Sequence, residues 1–590
     1  MRPAIVTFTA AGAGLAQKLS TLLDGELFRC GDNAADAKIL LPRLFADGRP
    51  ILGICAAGIL IRLLAPALSD KHAEPPVLAL SPDGAHVVPL LGGHHGANRL
   101  ARHIAEALGA TAALTTASDA RFTRGLDEPP AGWVLADPAA AKPAMLALLA
   151  GATIALDGDA PWLAEAGYPV AADGNVTVRV SAQTDRREGE LLYHPKTLVA
   201  GIGAERGVAA AEIIALITET LSTRNLAPAS LAALATLDLK SDEAAFHTAA
   251  EHFGVPLRLF TAAELSAERA RLQHPSAIVE AETGTPGVAE AAALKAGTLL
   301  VPKRKSRRAT CAIGRAPAPI DAGTFGRPPG VLHVIGIGPG DRLSRTASAV
   351  AALDASSDWV GYGLYLDLVS DLHVRQREHR FPLGDEEARV RHALELAAEG
   401  RTVALICSGD AQIYAMAALV YELLDAAGSR RLSDAARRVG IEVHPGISAV
   451  QAASAAAGAL IGHDFCCISL SDLLTPAADI RRRLAAATTG DFVTALYNPR
   501  SQRRTALLSE AHHLFRAHRP AETPVVLARS LGRPDEAVTV TTLAAFDPAC
   551  VDMLSIVLIG SSTSRALKRG DGTTRVFTPR GYDKKNSNAP

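Results

Sequence analysis

Short, almost continuously apolar runs alternate with longer Ala/Leu-rich stretches along the whole chain. AIVTFTA, PILGICAAGIL, PPVLALS and TIALD mark the first part, and LHVIGIGPG, TVALICSGD, IEVHPG, FVTALYNP, PVVLARS and LSIVLIGSS mark the second. Runs without polar alternation read as strands buried on both faces. With helical stretches between them they predict an α/β chain of several parallel-rich lobes. No self-similarity at a period of about 20–50 residues is visible, which excludes a solenoid. The opening MRPAIVTFTAAGAGLAQKLS lacks a long apolar core and reads as a strand turning into a helix, not as a signal peptide. The most apolar stretch near it, Leu52 to Leu68, is interrupted by Arg62 and Pro66. A bilayer span needs about 20 apolar residues, so no membrane partner is expected and a cytoplasmic location is.

Breaks in the pattern suggest boundaries. The text turns polar and Pro-rich around Phe122 to Pro130, and polar again from Ala182 to Pro195, ahead of the run LVAGIG. From Gly314 to Gly330, GRAPAPIDAGTFGRPPG is dominated by Pro and Gly and loses periodicity, as a linker does. The expected division is 1–125, 126–194, 195–316, a linker over 317–329, and 330–585. It suits a chain of 590 residues, since domains run to about 100–200 residues each. Just ahead of the linker, Lys303, Arg304, Lys305, Arg307 and Arg308 form a basic run that reads as a solvated edge.

Composition acts mainly by exclusion. Lys plus Arg is 60 and Asp plus Glu is 61, so the net charge is -1 and no basic surplus is available for nucleic acid. At 48% hydrophobic and 21% charged residues the chain has ample material for packed cores. The seven cysteines include no CxxC pair, so neither a zinc site nor a redox dithiol is expected, and no metal ligands are assigned. Cys466 and Cys467 read as core residues.

The sharper chemistry lies in the second half. VLHVIGIGPGD, residues 331–341, runs a buried strand into Gly336, Gly338 and Gly340, followed by Asp341. Such glycines permit positive φ and close backbone approach to a ligand. A nicotinamide fingerprint needs G-x-G-x-x-G. Here the third glycine comes one position early, and Pro339 removes a backbone N–H. Four more turns each follow a strand: CSGDAQIYAMA, HPGISAVQAA, ISLSDLLTP and LYNPRSQRR.

This ordered set resembles the tetrapyrrole methyltransferase family. GHDFCCISLSDLLTP, DFVTALYNPRS, VDMLSIVLIGSS and TPRGY look specifically like precorrin-3B C-17 methyltransferases, over about residues 329–583. Ala411 replaces the family's usual proline after G-D. The resemblance implies a two-domain class III methyltransferase with S-adenosylmethionine in the cleft between lobes, commonly a homodimer. It implies cofactor contacts from Gly336, Gly338, Pro339, Gly340, Asp341, Gly409, Asp410, Ile413, Tyr414, Pro445, Gly446, Ser448, Ser469, Leu470, Tyr497 and Asn498. Methylation at ring carbon 17 accompanies ring contraction in that family, and contraction needs a proton acceptor, for which Asp472, His463 and Asp464 are candidates. Arg500, Arg503 and Arg504 are candidates to meet substrate carboxylates, against a solvated helix start.

In the first half the unusual text is GGHHGAN, residues 92–98, which sets His94 and His95 at a strand-to-helix turn where an imidazole can act as acid or base. With Gly53, Ala56, Gly58, Arg62, Asp70, Lys71 and Thr115 to Asp119, it resembles the N-terminal domain of cobalt-precorrin-5A hydrolases. LVAGIGAERG, LDLKSDEAAF and TGTPGVAEAAAL resemble that family's C-terminal domain, with Ala204 and Glu205 in place of a Cys and a basic residue. The resemblance implies opening of a δ-lactone with loss of acetaldehyde, His94 or His95 as base, and Arg62, Lys71 and Asn98 as partners of oxyanion or carboxylates. The loop GIG at 201–203 is a candidate grip for a carboxylate or for an adjacent backbone. Two other readings stand beside this one: a non-catalytic tetrapyrrole carrier in the first half, and a nicotinamide oxidoreductase using GIGPG.

Overall fold

Most of the apolar runs become strands buried almost throughout, while TIALD and IEVHPG become partly exposed edge strands. The computed structural model describes residues 2–30, 34–70, 73–114, 121–501 and 505–582, without the side chains of residues 34–36 and 94. Two units are distinguished: Met1–Thr236 with Ala244–Leu257 and Ala262–Phe325, and Gly326–Pro590 with Leu237–Glu243 and Arg258–Thr261. Among the described residues no helix is long and apolar enough to cross a membrane.

Three sheets form within residues 4–315. Strands β1 (Ala4–Thr7), β2 (Glu26–Arg29), β3 (Ile51–Ile54), β4 (Val77–Leu80), β5 (His86–Leu91) and β6 (Thr111–Ala112) form a sheet in the order β2-β1-β3-β4-β5-β6. A second sheet, β7-β10-β9-β8, joins β7 (Trp133–Leu135), β8 (Ile154–Asp157), β9 (Val176–Val180) and β10 (Leu191–Pro195). The third, β13-β12-β11-β15-β14, joins β11 (Leu198–Ala204), β12 (Leu231–Leu237), β13 (Leu257–Phe260), β14 (Thr298–Lys305) and β15 (Ala309–Arg315).

The structure sharpens three expectations here. The text from Gly314 on is not all linker, because Gly314 and Arg315 are the last residues of β15. A Cβ on Gly314 would stand 1.8 Å from the carbonyl oxygen of Ala293, in the helix Val288–Leu294. GIG at 201–203 is likewise no loop: Gly201 lies inside β11, where a Cβ would stand 2.0 Å from Ala289 O. Its glycine admits the backbone of the adjacent helix, the second of the two roles expected of it. The basic run is the β14–β15 hairpin, where Arg304 pairs with Glu219 at 2.8 Å and Arg308 with Glu205 at 3.0 Å.

The second sheet holds a buried ion pair. Arg179 on β9 grips Glu190 through Nε at 3.0 Å and Nη2 at 2.8 Å, and Arg187 N donates to the same carboxylate at 2.7 Å. These hydrogen bonds hold Glu190 below the ordinary carboxylate range, against a burial that opposes it. A depressed carboxylate stabilises the fold above its unfolded value of about 4.3, and that stability is lost as pH falls through the folded value. Acid unfolding of this sheet, followed by the fluorescence of Trp133 and Trp162, is therefore expected to shallow in Glu190→Gln. Arg179→Met leaves a buried charge uncompensated and is expected to cost about 3 kcal/mol in urea unfolding at pH 7.

The second unit has two larger sheets. Strands β16 (Val331–Gly336), β17 (Asp358–Tyr362), β18 (Arg377–Phe381), β19 (Thr402–Cys407) and β20 (Gly440–His444) run all parallel in the order β18-β17-β19-β16-β20. Strands β21 (Gly458–Ala459), β27 (Arg565–Lys568) and β28 (Thr574–Phe577) make a small sheet. The other large sheet, β22-β23-β26-β24-β25, joins β22 (Phe465–Ser469), β23 (Val493–Tyr497), β24 (Pro524–Arg529), β25 (Ala537–Thr542) and β26 (Ser555–Ile559).

Only β22 and β23 are parallel in that last sheet; β23–β26, β26–β24 and β24–β25 are antiparallel. The parallel-rich expectation fails there for a physical reason. Val525, Val557 and Ile559 pack against Ile480, Leu508 and Phe515 on one face, while Val526, Leu558 and Ala528 pack against Val450, Ala453 and Ala457 on the other. A continuous apolar run reports burial of both faces, not strand direction. Cys466 and Cys467 flank these two cores, each half-buried.

Candidate functional site

Three glycines build the centre of the second unit. Gly336 ends β16, Gly409 follows β19 and Gly446 follows β20, so parallel order brings all three loops to one sheet edge. A Cβ on Gly446 would stand 2.2 Å from Gly409 O and 2.5 Å from Gly336 O; one on Gly336 would stand 2.6 Å from Gly409 O. Gly338 and Gly409, both at positive φ (77° and 68°), exchange backbone hydrogen bonds of 3.1 and 2.8 Å. Asp410 ties the knot, accepting from Gln412 N at 2.8 Å and Gly446 N at 3.1 Å. Its carboxylate is thus occupied by backbone.

Beside the knot lies a cavity of about 390 Å³, within the ~300–1,000 Å³ range of small-molecule sites. Pro339 and Asp341 wall it from the loop after β16, Ile447 and Gln451 from the connection after β20, and Leu531 and Glu536 from the turn after β24. Gly340 and Gly532 face each other there, with φ of 149° and 72°. Burial pushes the Asp341 carboxyl up, yet hydrogen bonds from Ser344 and the Leu343 backbone outweigh it and hold the group below the ordinary carboxylate range. The turn Ser530–Glu536 was not singled out in the sequence. Its signal, S-L-G after an apolar strand, has the same grammar as the other turns.

The remaining predicted cofactor residues gather around two tyrosines. Tyr414 and Tyr497 have ring centroids 5.1 Å apart, and Tyr414 donates to Cys467 O at 2.8 Å. Tyr497 Oη meets Ser448 Oγ at 2.5 Å and accepts from Val450 N at 3.0 Å, and burial pushes its phenol up. Ser448 caps the helix Ala449–Ala457 with Gln451 as its reciprocal partner. Asn498 donates to Ser469 Oγ at 3.1 Å, and Leu470 N to Tyr497 O at 2.9 Å. One helix start thus joins both groups: Gln451 faces the cavity, while Val450 N meets Tyr497. Ile413 and Tyr414 remain 37% and 50% exposed. Tyr497→Phe removes the acceptor from Val450 N and is expected to lower the urea unfolding free energy by about 1–2 kcal/mol.

Other candidates separate. Asp472 lies exposed on the turn just after Ser469 and Leu470, at the cavity end of β22. His463 and Asp464 precede β22, at its far end, paired with each other at 3.2 Å. The structure does not bring them to Asp472. Arg500 donates through Nη1 to Pro548 O at 3.2 Å and Ala549 O at 2.6 Å, which makes it an anchor for that turn. Arg503 and Arg504 lie outside the described residues.

In the first unit, β4 and β5 are antiparallel, with Val77 opposite Leu91. The turn after β5 therefore reaches the edge where β3 and β4 begin. Because β3 and β4 are parallel, the chain between them returns to that edge as well, through the helix Ala57–Leu64. Arg62, in its last turn, and Asp70 are carried that way; Arg62 is exposed and bonds back to Gly58 O at 3.2 Å. Gly92 has φ 72°, and a Cβ there would strike Pro75 O at 2.4 Å. Gly96 starts the helix Ala97–Leu108, with Asn98 in its first turn and His95 exposed before it. The His94 side chain, Lys71 and Thr115 to Asp119 lie outside the described residues.

Comparison with known proteins agrees with this division. The family model "Cobalamin synthesis G N-terminal" matches residues 40–119, "Cobalamin synthesis G C-terminus" residues 198–314, and "Tetrapyrrole (Corrin/Porphyrin) Methylases" residues 331–547. A probable cobalt-factor III C(17)-methyltransferase of Salmonella typhimurium is 43% identical over 252 residues, covering 43% of this chain and 99% of that protein. A precorrin-3B C(17)-methyltransferase of Sinorhizobium is 40% identical over 255 residues, 43% of this chain and 97% of its own. Among solved structures, the methyltransferase CobJ is 36% identical, covering 42% of this chain and 100% of its own, with a TM-score of 0.39.

Proposed function

This chain belongs to the tetrapyrrole (corrin/porphyrin) methylases and, through its first half, to the cobalamin synthesis G family, and from that premise we propose how its residues divide the work. It is a bifunctional enzyme of cobalamin biosynthesis. The C-terminal half transfers a methyl group to C-17 of precorrin-3B or its cobalt counterpart, with ring contraction to precorrin-4. The N-terminal half hydrolyses the δ-lactone of cobalt-precorrin-5A, releasing acetaldehyde. What carries the first activity is a cavity beside the glycine knot, inside the half that C(17)-methyltransferases match almost from end to end.

S-adenosylmethionine is the methyl donor in this reading, and bound it supplies a methyl group on a sulfonium. The cavity's residues fit it: Asp341 and Glu536 offer carboxylates to a cationic ligand, and Ile447, Ala452 and Leu531 offer apolar surface to a purine. Gly338 and Gly340 let the loop that carries Pro339 and Asp341 pack closely, a Cβ on Gly338 standing 2.9 Å from Ser344 O and one on Gly340 standing 3.2 Å from Gly532 O. The chain's own contribution is orientation, worth up to about 7–11 kcal/mol when two reactants are aligned. Asp472 takes the proton of the substrate hydroxyl during contraction, since it alone of the three candidates stands at the cavity end of β22. In the first half His94 or His95 activates water, and Arg62, Lys71 and Asn98 meet the oxyanion and the substrate carboxylates. The chain pairs with a second copy through the methyltransferase half, a point that sedimentation of the full chain tests.

Mass spectrometry of products from precorrin-3B and its cobalt counterpart, with S-adenosylmethionine supplied, tests the first activity. The expected result is a methylated, contracted ring with equimolar S-adenosylhomocysteine. Nicotinamide binding in place of S-adenosylmethionine, read by calorimetry, removes the donor. Tight binding of the lactone without acetaldehyde reduces the first half to a carrier.

A further inference from the structure

One polar cluster in the second unit takes no part in the chemistry above. Strand register creates it: β16 and β20 pair in parallel, with His333 opposite Glu442 and Ile335 opposite His444. His333, Glu442 and His444 therefore share one face of the sheet, the face covered by the helix Ala347–Ala355. His333 Nδ1 lies 3.0 Å from His444 Nε2 and 3.3 Å from Glu442 Oε2, and His444 Nε2 lies 3.8 Å from the same oxygen.

We propose that His333, Glu442 and His444 bind a divalent cation of the zinc and cobalt class. Zinc takes imidazole nitrogen at ~2.0–2.1 Å and carboxylate oxygen at ~2.0–2.2 Å, so two ligands of a tetrahedral ion are about 3.3–3.5 Å apart. The three observed separations bracket that edge, so one face of the tetrahedron is already assembled. Two imidazoles select zinc, cobalt or nickel over magnesium or calcium, which prefer all-oxygen sites. The outer shell is present too: Ser348 Oγ meets the other nitrogen of His444, Nδ1, at 2.7 Å and so orients the ring. Glu442 is 59% exposed, so an ion enters from solvent and its fourth position stays open to water. Pro445 and Gly446 directly follow His444, and β20 is an edge strand held by β16 alone. A cation here pins the strand that delivers Gly446 to the knot.

The full chain, stripped with a chelator, is titrated with Zn²⁺ and separately with Co²⁺. The expected result is one tight ion per chain and a visible cobalt absorption band of a four- or five-coordinate site. Both are lost in His444→Ala and in Glu442→Gln, and Ser348→Ala weakens Zn²⁺ affinity about 10–100-fold. Because Glu442 is exposed, its Gln variant keeps the metal-free circular dichroism and unfolding midpoint, which separates ligand loss from misfolding. A wild-type chain that takes up neither ion overturns the proposal. So does uptake unchanged in both His444→Ala and Glu442→Gln.

Discussion

Gly446→Ala is expected to lower methyl transfer by about 10²-fold or more, because one methyl group forces the three loops of the knot apart. Its Cβ would stand 2.2 Å from Gly409 O and 2.5 Å from Gly336 O, and backbone cannot swing away as a long side chain can. Displacing reacting groups by about 1 Å costs on the order of 10²-fold in rate. The effect is steric and not conformational, since Gly446 is not among the glycines at positive φ. Single-turnover assays with S-adenosylmethionine and precorrin-3B read it, alongside circular dichroism to establish that the variant folds. A folded variant with wild-type turnover would show that the knot does not position the reaction.

Replacing His94 and His95 together by alanine is expected to lower acetaldehyde release by about 10²–10⁴-fold, the usual contribution of a general base. Methyl transfer by the same preparation is expected to stay within twofold or so, because the two histidines and the glycine knot belong to different units. The turn that carries them is set by Gly92 and Gly96, which the double substitution leaves in place. Loss of both activities would point to misfolding of the chain, and undiminished acetaldehyde release would remove the histidines from the chemistry.

What could be read from the sequence was what is local. A buried strand and the turn after it are neighbours in the chain, so Gly336, Gly338, Gly409 and Gly446 announced their loops directly. Strand direction was not local. β24 and β26 are apolar throughout whether their neighbours run with or against them, and helices on both faces hide the difference. Long-range partners were equally hidden. Arg500 read equally as a substrate ligand or a solvated helix start, and its carbonyl partners lie 48 and 49 residues on. His463 and Asp472 are close in sequence, but a strand between them sends them to opposite ends. His333 and Glu442 lie over a hundred residues apart, and only the pairing of β16 with β20 makes them neighbours. Gly201 stayed ambiguous, because glycine that admits a helix looks in sequence like glycine that admits a ligand.

The Gly338–Gly409 bridge also bears on solvent exchange. Loop amides usually trade protons with water readily, while those of central strands wait for larger openings. Here two loop amides are locked to each other's carbonyls, and the carbonyls of Gly336 and Gly409 crowd the neighbouring loop. In deuterium labelling, the tips of these loops are expected to keep their protons on the timescale of β16 and β19. The sheet edge that carries the knot then opens together with its sheet, and access to the cavity depends on the turns around the knot.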